Sequence, residues 1–128
     1  MTLGKSTFFI VMLALTVLLT AAGLGSSSRF KNLKILPKDI SEQKLDSIMH
    51  SYNKALQVSC DFCHVKSADT LNFADDNNHM KESARKMMLL TIDINKNYFN
   101  YDSTIHPVYL NAVTCNTCHR GNPFPWGE

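Results

Sequence analysis

Two copies of one five-residue pattern carry the chemistry of this chain: Cys60-Asp61-Phe62-Cys63-His64 and Cys115-Asn116-Thr117-Cys118-His119. Cys-x-x-Cys-His is the attachment pattern of a c-type haem. Two thiols must add to the two vinyl groups on one porphyrin edge. Residues three apart on a single helical turn lie on one side and can both reach that edge. The histidine that follows offers a ring nitrogen to the iron. Cys60, Cys63 and His64 are therefore expected to hold one haem, and Cys115, Cys118 and His119 a second. All four cysteines of the chain are then used.

Two other chemistries use paired cysteines. A four-Cys zinc site usually separates its pairs by about 15–20 residues, far fewer than here. A thioredoxin-like redox pair needs a βαβ context, and no strand pattern of any strength is visible. Neither requires a histidine after each pair.

Each haem iron needs a second axial group, or an open position. Met49 and Met87 lie on the apolar stripes of two long helical patterns, each upstream of a Cys pair. A thioether suits haem iron, and Met/His ligation raises the reduction potential. A methionine on a helical stripe is more often core filler. His50 and Met88 are neighbours of these residues but turned about 100° away on a helix. His79 and His106 are further competitors. Arg85 and Arg120 stand beside the proposed ligands, where a guanidinium would suit a haem propionate.

The elements that position these residues can be read from caps and periodicity. Asp39 is a plausible N-cap with Glu42 at the reciprocal position. Leu45, Ile48, Met49, Tyr52 and Leu56 then follow helical spacing to about Gln57. Residues 66–78 read as a polar loop with Phe73 as a packing anchor, and Asp75, Asp76, Asn77 and Asn78 are candidate caps. The next helix carries Met80, Ala84, Met87, Thr91, Ile94 and Tyr98 as its predicted inward face. Residues 99–113 form an extended connection, Cys115 opens the second attachment helix, Gly121 stops it, and the Pro-rich tail is not helical. The expected class is all-α, with few or no strands: a small multihaem cytochrome c built from two units, each a long helix, a turn and a short helix bearing Cys-x-x-Cys-His.

The N-terminus agrees with covalent haem, which is attached outside the cytoplasm. Lys5 precedes an uncharged stretch, then small residues, in the manner of an export signal. Residues 8–25 approach the roughly 20 needed to cross a bilayer, so an uncleaved anchor and a removed signal are both open. Arg29, Lys31, Lys34 and Lys38 follow with no acid among them, either as a solvated linker or as a strip against anionic headgroups. The expected division is residues 1–28 as signal or anchor, 29–38 as linker and 39–128 as a dihaem domain. The expected location is the bacterial periplasm, at the cytoplasmic membrane. The formal charge of +2 excludes little, and no feature calls for nucleic acid.

Residues 37–126 resemble the haem-repeat module of the cytochrome subunit of photosynthetic reaction centres. The similarity is strongest in Ala84-Arg85-Lys86-Met87, in Ile94-Asn95-Lys96-Asn97-Tyr98, and in Val113-Thr114-Cys115-Asn116-Thr117-Cys118-His119-Arg120-Gly121. That subunit carries four haems as two tandem pairs, and this chain looks like one pair. The resemblance implies Met87 rather than Met88 as a sixth ligand, and Met49 for the first haem. In the family one haem takes a second histidine from the connection after the Met helix. His106 lies in the corresponding connection in a different local sequence and stays unassigned. The implied function is electron transfer between a redox donor and an acceptor, either free or docked to a membrane complex. A dihaem peroxidase would need an open iron and distal acid–base groups, for which His79 or His106 would have to serve.

Overall fold

A computed structural model of the chain describes Gly4 and residues 29–126. Apart from Gly4, the expected signal or anchor lies outside the described residues. Helix α1 spans Glu42–Leu56. A 3-10 turn at Cys60–Phe62 follows. Strands β1 (Val65–Ser67) and β2 (Thr70–Asn72) form a small antiparallel hairpin, with Lys66 paired to Leu71. Helix α2 spans His79–Tyr98, a second 3-10 turn covers Pro107–Tyr109, and α3 spans Cys115–His119. The described chain is thus mainly helical with one two-stranded hairpin. Only three residues lie in each strand, too few for alternation to stand out in sequence.

Helix α1 begins later than its expected cap. Ser41 is the N-cap, and its hydroxyl accepts from the Lys44 amide at 3.2 Å. Ile40, just before it, is buried, which fixes where the chain must turn into the helix. Of the four candidate caps before α2, Asn78 holds the position.

The core is small. Among the described residues the buried hydrophobic side chains are Leu36, Ile40, Ala55 and Met88. Phe30, Leu33, Ile35, Leu45, Ile48, Met49, Tyr52 and Val108 pack around the cluster of Leu36, Ile40 and Met88. Residues 29–38, expected as a linker, are therefore packed against the domain. Leu36 retains 5% exposure, and such burial stabilises by about 1.5–3 kcal/mol. Polar contacts hold the same segment. Asn32 Nδ2 donates to Asp76 Oδ1 at 2.9 Å and to the Ala74 carbonyl at 2.5 Å, and Lys34 Nζ pairs with Asp76 at 2.7 Å.

Helix α2 is turned relative to its expected face. Its buried residues are Lys81, Arg85, Met88 and Asn95, one step along from Met80, Ala84, Met87 and Ile94. One step is about 100° of rotation. The cause is an ionic seat supplied by the preceding loop. Lys81 Nζ donates to the carbonyls of Phe73 at 2.9 Å and Asp75 at 2.6 Å and pairs with Asp76 at 2.9 Å. Arg85 pairs with Asp76 at 2.9 Å and Glu82 at 3.2 Å. With their heads satisfied, the aliphatic stems of both side chains pack as apolar surface.

Candidate functional site

The first Cys pair sits on the 3-10 turn, not on an α-helix. In 3-10 geometry side chains at i and i+3 eclipse, so Cys60 and Cys63 project to the same side. The Cys63 and His64 amides both donate to the Cys60 carbonyl, at 3.3 and 2.9 Å. Ser59 donates a short hydrogen bond to the Asp61 carboxylate and holds that carboxyl below the usual range. From α1, Asn53 Nδ2 approaches the Cys60 sulfur at 3.4 Å. From α2, Asn78 Nδ2 donates to the Phe62 carbonyl at 3.0 Å.

His64 is half-buried, and its Nδ1 is a buried polar atom without a hydrogen-bond partner. Its ring meets Phe73 edge to face at 5.0 Å, so Phe73 does act as an anchor although 60% exposed. Burial, and then the Lys81 and Arg85 charges, hold the imidazole pKa below its ordinary value. Iron ligation needs the neutral ring, and this environment favours it.

The second pair sits on α3. The Thr114 amide donates to Thr117 Oγ1 at 3.0 Å, which closes the helix start. Arg120 and Gly121 end the helix with φ of 48° and 84°. The left-handed turn brings the Gly121 amide onto the Ala55 carbonyl of α1 at 2.8 Å. It also brings the Asn122 carbonyl within 2.9 Å of His119 Nδ1. A carbonyl can only accept, so Nδ1 carries the proton and Nε2 keeps its lone pair. That is the tautomer a metal-binding histidine needs, with the donated N–H orienting the ring. His106 has the opposite arrangement. Its Nδ1 accepts from the Val108 amide at 3.3 Å, so the neutral ring holds its proton on Nε2. His79 and His50 are exposed, and His50 Nδ1 is engaged by the Asp46 carbonyl at 2.9 Å.

Burial raises the thiol pKa of Cys63, and burial followed by the neighbouring Cys118 raises that of Cys115. Cys115 shares a cleft with Tyr52, Ala55, Met88, Thr91 and Asn95. Tyr52 is pushed up to about 12, first by burial and then by Cys115. Among the described residues no group of three or more His, Cys, Asp or Glu is placed to hold one metal ion, so the two Cys pairs do not converge on a four-Cys set. No disulfide joins the four cysteines.

The methionines divide between inside and outside. Met49 is half-buried against the Leu36, Ile40 and Met88 cluster. Met88 is 9% exposed, whereas Met87 is 38% exposed. Met87 shares its outward face of α2 with Leu90, Ile94 and Tyr98, by helical spacing. Leu90 and Tyr98 are 51% and 70% exposed, so this face carries much apolar surface. Arg85 is committed to Asp76 and Glu82, and Arg120 is an exposed helix terminus. Asn95 was not singled out by the sequence reasoning. It is 2% exposed and holds the approach to Cys115, and a buried amide on a helical face gives no signal in a hydrophobic pattern.

The residues fit a covalent haem at each pair. Two thiols share one side of a short turn, a histidine follows, and the exposed rings of Phe73 and Phe124 lie against the first pair's segment.

The model of the family described as photosynthetic reaction centre cytochrome C subunit matches residues 13–127. The chain belongs to the reaction-centre cytochrome family. It is similar to the photosynthetic reaction center cytochrome c subunit of Rubrivivax gelatinosus, at 38% identity over 106 residues, covering 81% of this chain and 26% of that protein. The subunit of Roseobacter denitrificans is 29% identical over 98 residues, covering 75% of this chain and 25% of that protein. That of Thermochromatium tepidum is 30% identical over 107 residues, 82% of this chain and 24% of that protein. The chain thus spans about a quarter of the length of these relatives in the family. No solved structure matches it. Membership makes this a c-type cytochrome sequence. Among the described residues no helix is long and apolar enough to cross a membrane.

Proposed function

We propose that this chain is an extracytoplasmic dihaem c-type cytochrome that passes electrons between redox partners at the membrane surface. Cys60 and Cys63 would bind one haem and Cys115 and Cys118 the other, with His64 and His119 as the first axial ligands. The observation that carries the reading is the hydrogen bond from His119 Nδ1 to the Asn122 carbonyl, which leaves Nε2 free for iron. Haem iron supplies a one-electron couple when bound.

The chain's own residues supply attachment, ligation and burial. Met49 and Met87 would supply thioether sulfurs to the two irons. Met87 is preferred over Met88 because Met88 is already packed with Leu36 and Ile40, while Met87 lies on the uncovered apolar face. One observation favours Met88, which lines the cleft that Cys115 also lines. Arg120, exposed beside His119, offers its guanidinium to a propionate. Arg85, paired with Asp76 and Glu82, places its charge near His64.

The donor and acceptor are redox proteins, and a membrane electron-transfer complex would suit an anchored chain. Residues 1–28 act as the export signal or the anchor, and the domain faces the periplasm. A reductive titration followed by optical spectroscopy on the purified holoprotein tests the reading. Two titrating haem c centres are expected, and a single centre or none would overturn it.

A further inference from the structure

Helix α2 holds the backbone of both attachment segments, one near each end, and does so through asparagine amides. At its N-terminus Asn78 Oδ1 accepts from the Met80 amide at 3.0 Å, while Nδ2 donates to the Phe62 carbonyl at 3.0 Å. Phe62 lies between Cys60 and Cys63. Near the C-terminus Asn95 Nδ2 donates to the carbonyls of Leu110 at 2.9 Å and Val113 at 2.7 Å, while Oδ1 accepts from the Val113 amide at 2.7 Å. Val113 stands two residues before Cys115. Each amide thus uses its donor and its acceptor; Asn78 grips the backbone within the first Cys pair, and Asn95 the backbone leading into the second.

Asn95 is costly at its position. Asparagine is a poor residue in a helix interior, and a buried amide must be fully bonded. About 25 Å of helix axis separates the two asparagines at roughly 1.5 Å per residue. The far side of the arrangement is closed as well. The chain after α3 returns to the first motif, where Phe124 meets Phe62 edge to face at 6.4 Å.

We propose that Asn78 and Asn95 are positioning residues that register the two haem-attachment segments on α2, so that this one helix sets the separation and angle of the haems. The inference rests on the dihaem reading above and assigns residues to it that touch neither iron.

Asn78→Asp separates positioning from helix capping. Aspartate keeps the acceptor for the Met80 amide, and its charge suits a helix N-terminus. It cannot donate to the Phe62 carbonyl. The holoprotein variant should keep its thermal midpoint. The α-band and potential of the first haem should shift while those of the second stay, and the dipolar coupling between the two oxidised haems in pulsed electron paramagnetic resonance should change. The first haem's band is assigned with Cys60→Ala, which leaves one thioether there. Asn95→Asp keeps the acceptor for the Val113 amide, loses both donations, and should move the second haem alone. If Asn95→Asp fails to fold, Asn78→Asp decides. Wild-type haem signals in Asn78→Asp, or equal shifts at both haems, would overturn the positioning role and leave the dihaem reading standing. A wild-type protein without two covalent haems, counted by intact mass, would instead overturn the dihaem reading itself.

Discussion

His119 Nδ1 donates to the carbonyl of Asn122 at 2.9 Å across a left-handed turn. The bond exists because Gly121, at φ 84°, lets the chain reverse directly after the helix. Only glycine takes that conformation without cost, and other residues lose roughly 1–2 kcal/mol. A Cβ on Gly121 would also lie 2.7 Å from the Gln57 amide nitrogen, although that side chain can swing aside. Gly121→Ala should therefore lower stability by about 1 kcal/mol, set mainly by the backbone angle. It should broaden or shift the spectrum of the second haem more than the first. Thermal unfolding followed at the haem bands checks both effects.

Covalent attachment has a direct readout. The exported protein should carry two haems that survive acid and organic extraction, with an intact mass above the polypeptide mass by two haem masses. Replacing Cys60 and Cys63 by Ala should remove one haem and leave the other, and the same change at Cys115 and Cys118 should do the converse. Purified protein containing zinc and no haem would sink this account.

Met49, Met87 and Met88 can be told apart. If Met49 and Met87 ligate, each oxidised haem should show a weak near-infrared thioether-to-iron band. Met49→Ala and Met87→Ala should each abolish one band, lower that haem's potential and open it to carbon monoxide when reduced. Met88→Leu conserves core volume and should cost under about 1.5 kcal/mol with both bands intact. Loss of a band in Met88→Leu would make Met88 the ligand. Ready binding of carbon monoxide by the unmutated protein would favour an open haem and a dihaem enzyme over a carrier.

Asp76 joins four groups from two parts of the chain, the 29–38 segment and helix α2. Arg85, Lys34, Lys81 and Asn32 all donate to its carboxylate and hold its pKa far below the usual range. The folded pKa lies below the unfolded value of about 3.9, so this contribution is complete at neutral pH and is lost as pH falls below about 4. Asp76→Asn should lower the thermal midpoint at pH 7 and make stability less dependent on pH over the acid limb. Parallel melting curves for the two proteins from pH 7 to pH 3 measure the difference. Salt should weaken the wild-type advantage, since the carboxylate is partly exposed.

Anchoring is tested by cell fractionation. An uncleaved anchor predicts membrane-bound protein with a protease-accessible outer domain. Recovery of only a soluble form beginning near Ser26 would show a removed signal. In either form residues 30–40 should resist protease, because Leu36 and Ile40 lie in the core.

The sequence by itself determined the features whose chemistry is local. Two cysteines and a histidine at fixed spacing point to haem attachment from sequence alone, Gly121 and the prolines mark helix ends through their own backbone preferences, and the α2 cap was narrowed to four neighbours, of which Asn78 holds it. The apolar stripe of α1 also predicted its packed side, because Leu45, Ile48, Met49 and Tyr52 meet the core without polar help. Tertiary structure decided what depends on partners distant in sequence. Lys81 and Arg85 turn inward only because Asp76 and the carbonyls of Phe73 and Asp75 receive them, and that rotates α2 by one residue from its apolar pattern. Residues 29–38 join the core because Asn32 and Lys34 reach the same carboxylate. The histidine tautomers were set by backbone groups, the Asn122 carbonyl for His119 and the Val108 amide for His106. Backbone donors and acceptors are the same at every residue, so only the folded path of the chain shows which of them a side chain will meet.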